Sequence, residues 1–164
     1  MNHASNWQNW SGSIAPAKAR LENPRDLDAL VKLVRDATGP VRPVGSGHSW
    51  PHLVPNDHLI LQLDHFNKVG KVDTATKRAW IGAGARLHDV SPQLAEQGYA
   101  FRNLGDIDVQ TLAGATSTGT HGTGQSLQAL HAEITGLRLV TGTGEQLEIS
   151  SHRNNDQIDG ARVA

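Results

Sequence analysis

Apolar residues in the first part of the chain alternate between two spacings. Leu27, Leu30, Val31 and Val34 recur at intervals of three and four, the period of one helix face, behind Asn23-Pro24 and ahead of Gly39-Pro40. This predicts a helix over about 24 to 37, with Asn23 as the capping candidate and Pro24 near its first turn. Val41-Arg-Pro-Val44 and Leu59-Ile-Leu-Gln-Leu63 are short apolar runs and read as strands, joined by the loop 45 to 57. Val69 to Val72 and Ala79 to Ile81 flank Asp73-Thr-Ala-Thr-Lys77 as a hairpin. Helical spacing returns at Leu87, Val90 and Leu94, with Pro92 inside and Gly98 as the stop. Strand grammar closes the chain, with Ile134 to Val140, the turn Thr141-Gly-Thr-Gly144, and Gln146 to Ile149. Helices and strands mix without a repeat and without regular βαβ alternation, which favours an α+β fold over a doubly wound sheet.

One stretch fits neither grammar. From Val109 to Ala132 there is no Asp, Glu, Lys or Arg, and Gly114, Gly119, Gly122 and Gly124 stand among Ala, Ser and Thr. Side chains this small let another body approach the backbone closely. A second specialised segment, Pro43-Val-Gly-Ser-Gly-His-Ser49, has a strand feeding glycines whose N–H groups can converge on an anion. Residues 39 to 56 contain one charged side chain, Arg42, so an anion held in either segment is expected to meet N–H groups and hydroxyls instead of Lys or Arg. Two such loops suit a diphosphate. The plain alternative for either loop alone is a tight turn.

Composition narrows the chemistry. The 164 residues carry 15 Lys+Arg against 16 Asp+Glu, a net charge of -1, which removes the electrostatic basis for tight nonspecific binding to nucleic acid. With no cysteine there is no disulfide, thiolate nucleophile or zinc–thiolate site. No run approaches the roughly 20 apolar residues needed to span a bilayer. The first ten residues lack a basic region followed by an apolar one, so a cytoplasmic location is expected. Asp159 to Ala164 carries no stop signal, which suggests a cut.

Known phosphate motifs fail one by one. Gly45-Ser-Gly47-His-Ser-Trp50 has Trp50 where a dinucleotide fingerprint needs glycine, and Gly82-Ala-Gly84-Ala-Arg-Leu87 fails at the same place. Gly119 to Ser126 has P-loop spacing but Gln125 in place of the lysine, which argues against a phosphate-binding hydrolase. His48, His52, His58 and His65 fall within eighteen residues, yet Pro51 and the glycines oppose the helix that His48 and His52 would need as paired metal ligands. No metal is expected. His52, His58, His65, His88, His131 and His152 read as surface or core-edge residues, and Trp7, Trp10, Trp50 and Trp80 as packing without a stacking array. Asp106 and Asp108 are the acidic candidates near the second loop, as general bases or as turn caps.

Taken together, Asn9-Trp10-Ser11-Gly12, Val44-Gly-Ser-Gly-His-Ser49, Gly82-Ala-Gly-Ala-Arg-Leu87, and Asn103-Leu-Gly-Asp-Ile-Asp-Val-Gln110 running into Ala113 to Gly124 resemble the FAD-binding domain (PCMH-type) of the aldonolactone oxidase and alditol oxidase group, in the vanillyl-alcohol oxidase superfamily. The resemblance spans essentially the whole chain, and the two glycine-rich blocks are specific as a pair. It implies an α+β FAD-binding fold of two small subdomains with the diphosphate between them. By position, Pro43, Val44, Gly45, Ser46, Gly47, His48 and Ser49 match the first FAD loop, with His48 at the histidine that bonds covalently to the flavin 8α carbon. Asp106, Thr111, Gly114, Thr118, Gly119, Thr120 and His121 match the second set of contacts.

Alditol oxidases tend to carry a small hydroxyl residue where Asp106 stands, so the match tilts towards a sugar 1,4-lactone oxidised with oxygen as acceptor, giving hydrogen peroxide. The alternatives are a polyol substrate, or a flavin- or nucleotide-binding module without catalysis. The family continues into a C-terminal substrate domain. Residues 1–164 are therefore expected to be the cofactor half of a longer oxidase, inactive by itself, with the catalytic residues elsewhere.

Overall fold

A computed structural model describes residues 7–15, 18–49, 52–151 and 158–163, the backbone alone for Ser151 and for 158–163. Trp50, Pro51, His152 and Ala164, named above, lie outside the described residues.

The first layer is a parallel sheet of β1 (Arg20–Glu22), β2 (Val41–Val44) and β3 (Leu59–Gln62), in the order β1-β3-β2. β3 is central, and Leu59, Ile60 and Leu61 are all buried, as expected of a parallel strand covered on both faces. Pro43 sits in β2, at the sheet edge, where a missing N–H is tolerated. The helix α1 (Leu27–Arg35) carries the chain from β1 to β2. It starts later than the sequence suggests. Asp26 is the cap, its Oδ1 accepting from the Ala29 N–H at 2.8 Å, while the Asn23 side chain donates to Asp64 Oδ2 at 3.3 Å. Both residue types cap helices equally well, and the tertiary bond to Asp64 removes Asn23 from the choice.

The predicted hairpin exists as two antiparallel bridges, Val69↔Ile81 and Asp73↔Arg78, with Lys77 at φ 56° closing the turn. Helix α2 (Leu87–Ala95) buries Leu87, Val90 and Leu94 and runs through Pro92; Gly98, at φ +81°, ends the segment, and the next N–H, on Tyr99, donates to the Leu94 carbonyl at 2.9 Å. Val90 and Leu94 form one core cluster with Val72 and Ala85. A second cluster joins Ala19, Val44 and Ile60, with Trp7 packed against it. Leu87, Ala115 and Leu130 make a third.

Helix α3 (Leu112–Ser117) was not predicted, because one glycine, two alanines and hydroxyl residues leave little helical signal. Tertiary packing of the fully buried Ala115 supplies what propensity lacks. A 3-10 turn (Leu130–Glu133) leads into an antiparallel sheet of β4 (Gly136–Val140), β5 (Gln146–Ser151) and β6 (Ile158–Val163). A parallel sheet followed by a separate antiparallel one is the α+β arrangement expected.

Candidate functional site

The carboxyl end of β2 runs straight into the first glycine-rich loop. Gly45 packs against Thr111 so closely that a Cβ there would overlap Thr111 Oγ1, so glycine is obligatory at this contact. Ser46 Oγ donates to the Val109 carbonyl. Gly47 is held at φ +67°, and a Cβ would lie 3.3 Å from the Asn9 backbone. Among the described residues, none accepts a hydrogen bond from the N–H groups of Ser46, Gly47, His48 and Ser49, although all four residues are partly buried. Consecutive donors of this kind are costly unless a ligand or water accepts from them.

The second segment is built differently. Thr111 is 4% exposed, caps α3, and accepts from the Gly114 N–H at 3.3 Å through Oγ1. At the other end of α3, Thr118 Oγ1 donates back to the Gly114 carbonyl at 2.9 Å. Gly119 follows at φ +70°, and nothing lies within 4 Å of where its Cβ would stand. Thr120 returns to the body of the fold, its N–H donating to Ala115 and its Oγ1 to Gln110 Oε1 at 3.3 Å. His121 is exposed, with Nδ1 2.8 Å from the Gly122 carbonyl, so Nδ1 bears the proton. The N–H groups of Gly119 and His121 likewise donate to none of the described residues.

Residues 85 to 88 run antiparallel to 108 to 113: Leu87 N–H donates to Gln110 O at 3.0 Å, and Leu112 N–H to Ala85 O at 2.8 Å. Gly84, just before this pair, lets the segment pass close to the end of β3, since a Cβ there would collide with the Leu63 carbonyl. Arg86 is thereby brought to the junction of the two loops. Its Nη1 donates to Ser46 Oγ at 3.0 Å and to Val109 O at 3.3 Å. The expectation that no Lys or Arg attends these loops therefore needs one amendment. Arg86 is forty residues from Ser46 in sequence, and only its place inside Gly82-Ala-Gly-Ala-Arg-Leu87 hinted at a role.

His48 is half-buried, its imidazole stacked on Trp10 with 5.2 Å between ring centroids and 5° between planes. The Trp10 N–H donates to the Gly47 carbonyl at 3.1 Å. Two of the tryptophans assigned to packing thus make ring-face contacts, since Trp80 also lies under the Arg138 guanidinium at 4.5 Å. Of the predicted site, Val44 is a core residue and Pro43 is exposed at the edge of the sheet, while Gly45, Ser46, Thr111 and Gly114 meet at the junction. Asp106 and Asp108 are exposed. Among the described residues no cluster of metal-ligating side chains occurs, and no helix is long and apolar enough to cross a membrane.

Residues 15–150 match the family described as "FAD binding domain". The chain is 37% identical over 161 residues to the L-gulono-1,4-lactone dehydrogenase of Mycobacterium tuberculosis, covering 96% of this chain and 37% of the relative. It is 32% identical over 160 residues to the L-gulonolactone oxidase of Bos taurus, covering 96% and 36%. The chain thus spans little more than a third of the length of these relatives. In fold it is similar to a cholesterol oxidase variant of Brevibacterium sterolicum, with a TM-score of 0.75 at 22% identity over 91% of this chain and 32% of that one. The α+β architecture is that of the PCMH-type FAD-binding fold, and the chain belongs to the FAD-binding domain family, with aldonolactone oxidases and dehydrogenases among its relatives.

Proposed function

We propose that this chain is the cofactor-holding part of a longer flavoenzyme that oxidises a CH–OH group of a sugar 1,4-lactone. The observation that carries the reading is the junction itself: two loops with N–H donors left unpaired among the described residues, tied together by Ser46, Thr111 and Arg86, in a chain whose relatives are named for aldonolactones. The residues fit a dinucleotide diphosphate. Ser46 to Ser49 in the first loop, and Gly119 and His121 in the second, offer N–H donors that no described residue engages. Pro43, Val44 and Gly45 hold the first loop to β2; Thr111, Gly114, Thr118 and Thr120 shape the second, and Asp106 stands at its approach. His48 is the proposed point of covalent attachment, through a ring nitrogen and the flavin 8α carbon.

FAD held by these loops would supply two-electron redox chemistry at the CH–OH carbon. Oxygen is the proposed acceptor, with hydrogen peroxide as product. The substrate itself is positioned by residues outside this chain.

The test uses the full-length gene product loaded with FAD. Gulono- or arabinono-1,4-lactone should bleach the flavin under anaerobic conditions, and admitting oxygen should restore colour and release peroxide. Bleaching by xylitol or sorbitol alone would move the substrate to polyols. Bleaching that only a dye reverses would replace oxygen as acceptor. No bleaching by any of them would leave a cofactor-binding module. The 164-residue chain alone should give no substrate-dependent peroxide, because it does not itself hold the substrate carbon near the flavin.

A further inference from the structure

We propose that Trp10 is a positioning residue for His48: it sets the plane of the imidazole before covalent attachment of the flavin. The inference rests on the His48 attachment proposed above and adds the group that orients it. The ring planes lie 5° apart with centroids 5.2 Å apart, an offset parallel stack. Lone pairs on imidazole nitrogens lie in the ring plane. A parallel partner therefore fixes the plane by covering a face and leaves the reacting edge clear, whereas a perpendicular partner would cover a nitrogen.

The stack is held from both sides. On the tryptophan side, Asn9 is 2% exposed; its Oδ1 accepts from the Ile14 N–H at 2.9 Å, and its Nδ2 donates to Ser11 Oγ at 3.0 Å and Ser13 Oγ at 3.2 Å. The Gly12 N–H closes the turn on the Asn9 carbonyl at 2.9 Å. On the histidine side, the Trp10 N–H grips the carbonyl of Gly47, the residue before His48, and Gly47 sits at φ +67° against the Asn9 backbone. The Trp10 side chain remains 55% exposed, so burial in a core does not account for its placement.

In the attachment, a His48 ring nitrogen bonds the 8α carbon, one C–H bond at that carbon and the imidazole N–H are given up as protons, and the two electrons released pass through the flavin to oxygen, giving hydrogen peroxide. Orientation of the attacking lone pair governs the rate of such a step.

The test compares wild type, Trp10→Leu, Trp10→Gln, Trp10→Phe and His48→Ala as full-length apoproteins given FAD in air. The readouts are the rate at which flavin fluorescence becomes denaturation-resistant on gels, the initial noncovalent affinity, and Tm. Trp10→Leu and Trp10→Gln should slow attachment by about tenfold or more with affinity within about twofold, and Trp10→Phe should restore most of the rate. Attachment at the wild-type rate in either ringless variant overturns the proposal, as does slowing that merely follows lost affinity or Tm, or a phenylalanine that rescues nothing. Wild-type flavin released on denaturation, or flavin retained by His48→Ala, overturns the attachment at His48 itself and the positioning role with it.

Discussion

The two glycine-rich segments share close contacts made possible by glycine, but only the second also has a glycine that touches nothing. In the first loop, glycine lets protein touch protein: Gly45 admits Thr111, and Gly47 admits the turn at Asn9. In the second, Gly122 likewise admits Asn103 and the Leu104 carbonyl, whereas Gly119 adopts φ +70° with nothing within 4 Å of its missing Cβ and serves to turn the chain. The first loop is clamped at both Gly45 and Gly47, while the second is clamped at Gly122 and open at Gly119. Composition alone does not separate them, since both are small-residue, uncharged stretches.

The sharpest way to break this contrast is to crowd the clamped loop. Gly45→Val drives a side chain into Thr111 Oγ1, the buried cap of α3, and overpacking of this kind costs about 1–3 kcal/mol. Loss of FAD binding together with a lowered unfolding midpoint in urea is expected. Wild-type affinity in this variant would mean the junction is not the cradle.

Removing the charge at the junction comes next. Arg86→Leu deletes both Nη1 bonds, each of the charged kind worth about 1.5–3 kcal/mol. FAD affinity, followed by fluorescence, should weaken by at least about tenfold, with Arg86→Lys recovering only part because one ammonium cannot reproduce the guanidinium fork. Since Arg86 is spent on protein acceptors, FAD affinity in wild type should change little between low and high salt, unlike a site clamped by surface cations.

In the open loop the same kind of change should be milder. Gly119→Ala meets no atom and costs only the left-handed backbone, about 1–2 kcal/mol. Affinity should fall less than for Gly45→Val. A larger fall would show that the ligand, and not the backbone, occupies the space beside Gly119.

The amount readable from sequence divides along the same line. β2, β3 and α2 with its Gly98 stop were legible because local periodicity and a stop residue suffice for them. β1 was not, since Arg20–Glu22 is a strand only because β3 pairs with it. The two loops stood out as motifs, but their contact did not: Gly45 to Thr111 and Arg86 to Ser46 are long-range contacts that no local pattern encodes. Trp10 was visible in Asn9-Trp10-Ser11-Gly12 and still misread as packing, because stacking on His48 depends on a turn closed by the buried Asn9.

The smallest effect lies away from the site, in the hairpin that leads to it. The Asp73 carboxylate accepts from the N–H groups of Ala75 and Thr76, which holds its pKa below the usual 3.8. A lowered folded-state value means the ionised form stabilises the fold above about pH 3.8 and that this contribution fades as pH falls through the folded value. Asp73→Asn should flatten the acid side of the urea-midpoint profile slightly and leave FAD binding unchanged.

The central claim, that one ligand bridges the clamped and the open loop, is tested most directly by an FAD-bound crystal structure of the full-length gene product. The account predicts diphosphate oxygens accepting from N–H groups in both Ser46 to Ser49 and Gly119 to His121. A diphosphate held by one loop alone, or by Lys and Arg side chains elsewhere, would contradict it.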